Sequence, residues 1–220
     1  MTLVPSGDYA DHYPSVVGRV DAWRTAMARI PRIALARDWV RDLPAARLRR
    51  TNGDPPPKLL APVGYRFVHN RYTRRDAFPS LYLSDGVTTA SSEVFGVAAV
   101  QRGPLGTPDQ SRLQLVVHAH LPDVLDLTND AVRTALGVTL ADLTHPNDPL
   151  ILDAAGRSPS YELPQFLGEI AHELGIGAIL FPSSPASAGV NVVIFTDHLA
   201  ATGGWYETTD PVTERAERWP

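Results

Sequence analysis

LPQFLGEIAHELGIGAILFPSSPASAGVNVVIF, residues 163–195, holds one predicted helix followed by two predicted strands, and it sets the fold class. Apolar residues recur at helical spacing over 163–174, and Gly175 follows the predicted helix end. The short apolar runs 178–181 and 190–195 are typical of strands, and a loop rich in Pro, Ser and Gly separates them. The stretch therefore predicts a domain that mixes helices with strands.

Further strands are predicted on the N-terminal side of this stretch. The runs 65–69 and 81–84 are short and apolar, and residues 113–119 alternate between apolar and polar positions. Strands thus lie near both ends of the main domain, with helices inserted at irregular places. This pattern favours an α+β fold, with mixed small β-sheets and surrounding helices, over a regular βαβ series.

Two helices are predicted between these strands from their capping residues. Thr88 or Thr89 offers an N-cap for a helix that runs to Val100. Asn129 is the predicted N-cap of a short helix over 130–136, which a glycine closes.

The N-terminal segment is predicted to be a helical extension of the main domain. Apolar residues recur at spacings of four and three over 16–30, and a second helix is predicted over 33–43. Residues 51–57, TNGDPPP, predict a linker because three consecutive prolines forbid helix. The predicted organisation is an extension with its linker at 1–58, a main domain at 59–200 and an irregular tail at 201–220.

Composition excludes several classes of protein. The chain has 220 residues, enough for one large domain or for one domain with an appendage. It has no Cys, which excludes disulfides and thiol catalysis. No apolar run approaches the roughly 18 residues that span a bilayer, and the N-terminus lacks the pattern of a signal peptide. We expect a cytoplasmic protein that does not interact with membranes.

The formal net charge of −4 is unevenly distributed. Residues 1–58 contain 10 Lys+Arg and 6 Asp+Glu, a net charge of +4, whereas residues 59–220 contain 10 and 18, a net charge of −8. The acidic main body is a poor match to a phosphate backbone. The Arg-rich residues 19–50 leave a DNA-associated regulator open as a less favoured function.

Several familiar catalytic and metal-binding motifs are absent. The sequence has no G-x-G-x-x-G pattern, no P-loop and no G-x-S-x-G elbow. His118 and His120 share one face of a predicted strand, but no third ligand is evident nearby. His172-Glu173 begins like a zincin motif, but Ile176 stands where the second histidine is required. The sequence therefore predicts no metal cofactor.

The remaining polar residues suit a pocket for a phosphorylated, sugar-containing ligand. Arginine binds pyrophosphate in a forked geometry, and tyrosine stacks on a planar ring. Serine and asparagine bond to ribose hydroxyls or to an amide. A carboxylate stabilises the positive charge that develops at a sugar carbon during glycosidic cleavage. The candidates are Arg66, Arg71, Arg74, Arg75, Tyr82, Glu93, Ser183, Ser184 and Asn191.

The order of these residues resembles the RES-domain family, the toxin components of bacterial toxin–antitoxin pairs. The matching motifs are Y-R-F at 65–67, L-Y-L-S at 81–84, T-A-S-S-E-V at 89–94 and F-P-S-S at 181–184, followed by G-V-N-V-V-I-F at 189–195. The resemblance runs from Tyr65 to Asp197.

The resemblance implies an ADP-ribosyltransferase-like fold and an enzyme that consumes NAD⁺ as a substrate by breaking the nicotinamide–ribose bond. It implies that Arg66 contacts the dinucleotide, that Tyr82 packs at the nicotinamide–ribose end and that Glu93 acts at that ribose. Ser183 and Asn191 would line the same pocket.

The sequence departs from the family pattern between Arg66 and Tyr82. Many family members carry G-G-R-[WF]-N in this segment, whereas this chain has R-Y-T-R-R-D-A-F. The first serine of the F-P-S-S motif is preferred for the pocket because it directly follows the proline, as in the family. Two choices stay open: Arg74 or Arg75 as the replacement for the loop arginine, and Ser183 or Ser184 as the pocket serine.

The resemblance also implies a toxin that a cognate antitoxin of the Xre type neutralises. Its activity would be that of a glycohydrolase, a phosphorylase-like enzyme or an ADP-ribosyltransferase. The alternative is a catalytically weak module that binds NAD or ADP-ribose. A homo-oligomer contact through the N-terminal helices is a further expectation.

Overall fold

A computed structural model describes most of the chain. The described residues are 18–44, 58–62, 66, 70–93, 112–144, 162–183 and 189–220. Apart from Arg66, the predicted strand 65–69 lies outside them, and so does the predicted loop 101–111.

Helices and strands alternate irregularly along these residues, which confirms the predicted α+β class. The helices are α1 (Val20–Arg29), α2 (Asp130–Leu136), α3 (Leu140–Thr144), α4 (Glu162–Glu173) and α5 (Leu199–Thr202), and residues 87–93 are also helical. The strands are β1 (Ile33–Pro44), β2 (Ser80–Ser84), β3 (Arg112–Asp126), β4 (Ala178–Pro182), β5 (Val190–Phe195), β6 (Trp205–Thr209) and β7 (Ala216–Trp219). None of the helices in the described residues is long and apolar enough to cross a bilayer.

The strands form one seven-stranded sheet in the order β1-β2-β5-β4-β3-β6-β7. β1 pairs with β3 as well as with β2. The five strands β1, β2, β5, β4 and β3 therefore form a closed ring of strand pairings. β3 and β4 are parallel, and the other paired strands are antiparallel. The predicted separation into small sheets is wrong, because the long strands β1 and β3 pair from Ile33 to Pro44 and connect the whole sheet.

The N-terminal segment contains one helix and one strand. Trp23 and Met27 of α1 are buried in the core, and the Trp23 indole Nε1–H donates to the Leu136 carbonyl at 2.8 Å. These residues belong to the stripe predicted over 16–30, of which residues 16 and 17 lie outside the described residues. An oligomer contact through the N-terminal helices stays a prediction. The predicted helix over 33–43 is wrong, because these residues form β1 within the sheet. They therefore belong to the main sheet and not to a separate helical extension.

The C-terminal residues predicted to be irregular form a hairpin of β6 and β7, so that prediction is also wrong. Tyr206 is fully buried on β6, and the Asp210 carboxylate accepts two backbone N–H groups in the turn. The Glu217 carboxylate of β7 accepts the backbone N–H groups of Leu59 and Leu60 at 2.7 and 2.8 Å. The hairpin therefore holds the segment 58–62 against the sheet.

Other predicted elements are confirmed with small changes at their ends. β2, β4 and β5 include the predicted strands 81–84, 178–181 and 190–195, and α4 corresponds to the predicted helix 163–174. The Asn129 side chain caps α2 by accepting the Ala131 N–H at 2.9 Å. The predicted helix to Val100 begins at residue 87, and its described part ends at Glu93.

Hydrophobic clusters cover the two faces of the sheet around β5. Successive strand residues point to opposite faces. Val193 and Phe195 join a cluster with side chains of α1 and α4, whereas Val192 and Ile194 join a second cluster with Trp39. By the same alternation Asn191 lies on the face that α4 covers. The candidate site begins at this residue.

Candidate active site

The site lies where β2 ends, β5 begins and β4 ends. Ser84 of β2 pairs with Asn191 of β5, and Asn191 pairs with Phe181 of β4 on its other side. Ser183 directly follows β4, and its backbone N–H donates to the Gly189 carbonyl at 2.9 Å. The strand register therefore brings residues a hundred positions apart in sequence to one end of the sheet.

The 87–93 helix carries Glu93 to this end of the sheet. Asp85 joins the start of the helix to β5, because its carboxylate accepts the Val190 N–H at 3.0 Å. At the last described turn, Glu93 Oε1 accepts the Ser183 hydroxyl at 2.5 Å and the Asn191 side-chain amide at 2.8 Å. Two donors on separate segments thus orient one carboxylate oxygen. All three residues were predicted from the sequence, and the structure brings them together.

Ser84 adds a fourth member that the sequence reasoning missed. Its hydroxyl donates to Asn191 Oδ1 at 2.7 Å. Because an amide oxygen only accepts, this bond leaves the amide nitrogen facing Glu93. The signal was present in the sequence, since Ser84 lies two residues after Tyr82 and therefore on the same face of a predicted strand. Ser84, Asn191, Glu93 and Ser183 form a continuous hydrogen-bonded chain.

Gly189 allows the helix to pack closely on the start of β5. A Cβ atom at this position would lie 2.0 Å from Thr89 Oγ1 and 2.8 Å from both Thr89 Cγ2 and Asp85 Oδ1. Thr89 is buried and lies one helical turn before Glu93. Close packing at a residue without a side chain therefore sets the position of the 87–93 helix, and this glycine was not among the residues predicted for the site.

Tyr82 lies on the same face as Ser84 but is held in a different way. Its hydroxyl accepts the Tyr72 backbone N–H at 2.9 Å and bonds to Thr73 Oγ1 at 3.2 Å. Its half-buried ring packs edge-on to Phe181, with the ring centroids 6.4 Å apart. The hydroxyl thus anchors the turn at residues 70–73, and the ring packs on Phe181, whose strand neighbour is Asn191.

Tyr72, in that turn, is fully buried, and burial raises the pKa of its phenol. A Cβ at Gly168 of α4 would lie 2.0 Å from the Tyr72 carbonyl oxygen. The turn therefore packs on the backbone of α4, in addition to its bond from Tyr82.

The predicted arginines occupy different surroundings. Arg74 forms an ion pair with Glu169 of α4 at 3.0 Å and lies over the Phe166 ring at 4.6 Å. Burial raises the pKa of the Glu169 carboxyl, and the Arg74 guanidinium opposes this shift. Arg71 donates to the Leu143 carbonyl at 2.8 Å, which links the 70–73 turn to α3.

Arg75 is exposed and pairs with its neighbour Asp76 at 3.5 Å. Arg66 is exposed, and residues 63–65 and 67–69 on either side lie outside the described residues, as does Ser184. Arg74 and Arg75 were the two candidates to replace the family's loop arginine. Of these two, Arg74 packs against α4. The roles predicted for Arg66, Arg74, Arg75 and Ser184 in ligand binding stay predictions.

The histidines considered for metal binding lie elsewhere. His118 Nδ1 contacts Asp38 Oδ1 at 2.5 Å on an exposed part of the sheet, and the His120 ring lies beside Trp205. His172 lies beside Asp197 and His198 at the far end of β5, and within the described residues this is the group of three side chains that could hold a metal ion. A zincin motif requires the second histidine within the helix of His172, whereas here the two neighbours come from a different segment and were not predicted.

Comparison with known proteins places the chain in a family. The family model of the RES domain matches residues 44–209. The chain belongs to the RES-domain family. No curated protein matches this RES domain. Among solved structures, a chain of the crystal structure of the M. tuberculosis MbcT–MbcA toxin–antitoxin complex is 21% identical, with a TM-score of 0.55, over 92% of this chain and 88% of that chain. At this identity the likeness supports the fold of the RES domain.

The Arg-rich segment considered for DNA binding makes its described contacts within the RES-domain chain itself. Arg19 donates to the Leu136 carbonyl at 3.1 Å, and Arg41 donates to the Ala61 carbonyl at 3.3 Å. Arg24 pairs with Glu173 at 3.1 Å. These three arginines therefore bind carbonyl and carboxylate groups of the same chain. A DNA-associated function stays a prediction.

Proposed function

We propose that this chain is an NAD⁺-degrading enzyme that cleaves the nicotinamide–ribose bond. One observation carries the proposal. The Glu93 carboxylate is held by Ser183 and Asn191 at the joined ends of three strands, at 2.5 and 2.8 Å. A carboxylate fixed by side chains on other segments is preorganised, and preorganised charge is the main source of transition-state stabilisation in enzymes.

The chemistry requires a negative group beside the ribose. When the bond between the nicotinamide nitrogen and the ribose C1′ breaks, its electron pair leaves with nicotinamide and positive charge develops on the ribose. Glu93 would stabilise that charge. Water, phosphate or a protein nucleophile then forms the new bond at C1′, which corresponds to hydrolysis, phosphorolysis or ADP-ribosyl transfer.

The neighbouring residues would bind the rest of the dinucleotide. We assign the Tyr82 ring to the nicotinamide end, because it is half-buried and lies on the same strand face as Ser84. Arg66 is assigned to the pyrophosphate, because it belongs to the Y-R-F motif and its side chain is exposed. Arg74, held by Glu169, would position the turn that replaces the family's loop. The resulting arrangement is that expected of an ADP-ribosyltransferase-like pocket.

We infer further that the enzyme is the toxin of a toxin–antitoxin pair in the cytoplasm. The RES-domain match and the likeness to a chain of a toxin–antitoxin complex support this inference. An Xre-type antitoxin is the expected partner, as the family resemblance implies. Uncontrolled loss of NAD⁺ would be harmful, which gives a reason for such a partner.

The test is nicotinamide release from NAD⁺ by purified protein without antitoxin. Glu93→Gln keeps the side-chain volume and removes the negative charge, so we expect the rate to fall about 100-fold or more. The matched control is Glu207→Gln on β6, since β3 separates this strand from the three that form the site. Its rate should equal that of wild type. Equal rates for Glu93→Gln and wild type would overturn the assignment of Glu93, and wild-type binding of NAD⁺ without cleavage would identify the binding module instead.

A further inference from the structure

A second cluster of chemically active side chains lies at the opposite end of β5 from the Glu93 site. It consists of His172 in the last turn of α4 and of Asp197 and His198 after β5. Four strand rises of ~3.3 Å separate Asn191 from the strand end, about 13 Å in all. The cluster is therefore distinct from the residues assigned to NAD⁺.

The three side chains converge closely. His172 Nε2 lies 2.8 Å from Asp197 Oδ2, and the rings of His172 and His198 are 4.3 Å apart between centroids at an interplanar angle of 81°. One potential ligand atom from each residue lies within 4.8 Å of the other two. Two imidazole nitrogens and one carboxylate oxygen thus face a common point.

Neighbouring groups restrain the His172 ring and the His198 backbone. Phe78 stacks on the His172 ring at 4.1 Å and 9°, and Phe195 meets the same ring edge-on at 5.6 Å. The His198 backbone N–H donates to the Phe195 carbonyl at 3.0 Å, directly before α5. Imidazoles held in this way have less conformational freedom to lose when they bind an ion.

His198 also has unused bonding capacity. Its Nε2 atom is buried and has no hydrogen-bond partner. A buried polar atom without a partner costs free energy. A hydrogen bond between His172 and Asp197 accounts for those two residues, but it does not explain why a second imidazole is placed against them.

We propose that His172, Asp197 and His198 bind a Zn²⁺ ion, with the fourth coordination position open to water. Three protein ligands of the imidazole and carboxylate type are typical of zinc sites that keep an open position. A tetrahedral ion with bonds of about 2.1 Å places its ligand atoms about 3.4 Å apart. His172 Nε2 and Asp197 Oδ2 lie closer than that spacing, at 2.8 Å, and all three ligand atoms lie within 4.8 Å of one another, so rotation of the exposed Asp197 side chain and of the His198 side chain would complete the site. The ion would join the end of α4 to the turn after β5.

The chain offers a matched control for this proposal. His118 and Asp38 form another histidine–carboxylate contact, at 2.5 Å. Among the described residues, that pair has no third ligand within metal-binding reach. His118→Gln therefore removes a histidine–carboxylate pair without touching the proposed site.

The experiment is calorimetric titration of metal-free full-length protein with Zn²⁺. Wild type and His118→Gln should bind one ion per chain with equal affinity. His172→Gln and His198→Gln should each bind at least ~100-fold more weakly, more than the loss typical of an outer-sphere change. The two variants lie on different segments, so a folding defect in one leaves the other informative.

Co²⁺ provides a readout that needs no variant. Wild type loaded with Co²⁺ should show the visible absorption of a four-coordinate ion with nitrogen and oxygen ligands, and Zn²⁺ should displace it. The absence of stoichiometric binding to wild type would overturn the proposal. Binding that persists in both the His172→Gln and His198→Gln variants would overturn it as well.

Discussion

Gly189→Ala tests whether close packing at the start of β5 positions Glu93. The new Cβ would lie 2.0 Å from Thr89 Oγ1 and 2.8 Å from Thr89 Cγ2. Rotation of the Thr89 side chain does not remove the clash, because Oγ1 and Cγ2 both lie near the new Cβ and at least one of them stays there in every staggered rotamer. Since ordinary contacts begin near 3.5 Å, the helix of Thr89 must move by about 1.5 Å. Glu93 lies one turn further along this helix and must move with it.

The expected effect is larger on activity than on stability. Overpacking of this kind costs about 1–3 kcal/mol of folding free energy. A displacement of about 1 Å at a reacting group costs about 100-fold in rate. We therefore expect kcat/KM for NAD⁺ cleavage to fall about 100-fold in Gly189→Ala, while the protein remains folded at 25 °C.

The assay combines nicotinamide release with thermal denaturation of four proteins: wild type, Gly189→Ala, Thr89→Ala and the double variant. Thr89→Ala removes two of the three close atoms, so the double variant should regain most of the lost activity. Full activity in Gly189→Ala would refute the packing argument. A double variant as inactive as Gly189→Ala would show that the loss has another cause.

Three further predictions concern the surroundings of the site. Ser84→Ala removes the donor to Asn191, worth about 1 kcal/mol, so kcat/KM should fall about fivefold; no fall would remove Ser84 from the positioning chain. Gly168→Ala places a Cβ 2.0 Å from the Tyr72 carbonyl and should lower the free energy of unfolding by about 2 kcal/mol in urea titrations, whereas unchanged stability would contradict that contact. Burial raises the pKa of Glu169, so its contribution to stability is present below the unfolded pKa of about 4.3 and is lost as pH rises through the folded pKa. Wild type should therefore lose stability relative to Glu169→Gln as pH rises above the unfolded pKa of about 4.3, and a difference independent of pH would disprove the shift.

Local sequence signals predicted three of the four residues in the hydrogen-bonded chain of the candidate site. Tyr82, Glu93, Ser183 and Asn191 were predicted from motif order, and the structure joins the last three by hydrogen bonds. Ser84 could have been predicted, because strand alternation places it on the same face as Tyr82. Gly189 could not, because the need for a missing Cβ depends on a helix that packs against it from a hundred residues away.

The strand β1 shows why the N-terminal fold was predicted wrongly. Trp39 and Leu43 are buried and four residues apart, a spacing that fits both a helix face and one face of a strand. Arg37 occupies the same strand face two residues before Trp39, and its guanidinium lies over the indole ring at 4.5 Å. An arginine on this face removes the alternation by which a strand is recognised. Pairing with β3 decides the structure, and that pairing is not visible in the local sequence.

The proposed metal site illustrates a related limit. Sequence motifs for zinc place ligands at fixed spacing within one element. Here His172 belongs to α4, whereas Asp197 and His198 follow β5. Only the packing of α4 across the end of β5 brings these segments together.

The identity of the products of NAD⁺ tests the central claim most directly. Purified wild-type protein, shown to be free of bound antitoxin, is incubated with NAD⁺, and the products are separated and identified by mass spectrometry. We expect one nicotinamide for each NAD⁺ lost, together with a product that retains both riboses and the pyrophosphate. NAD⁺ that stays intact, or that is split at the pyrophosphate into nicotinamide mononucleotide and AMP, would contradict it.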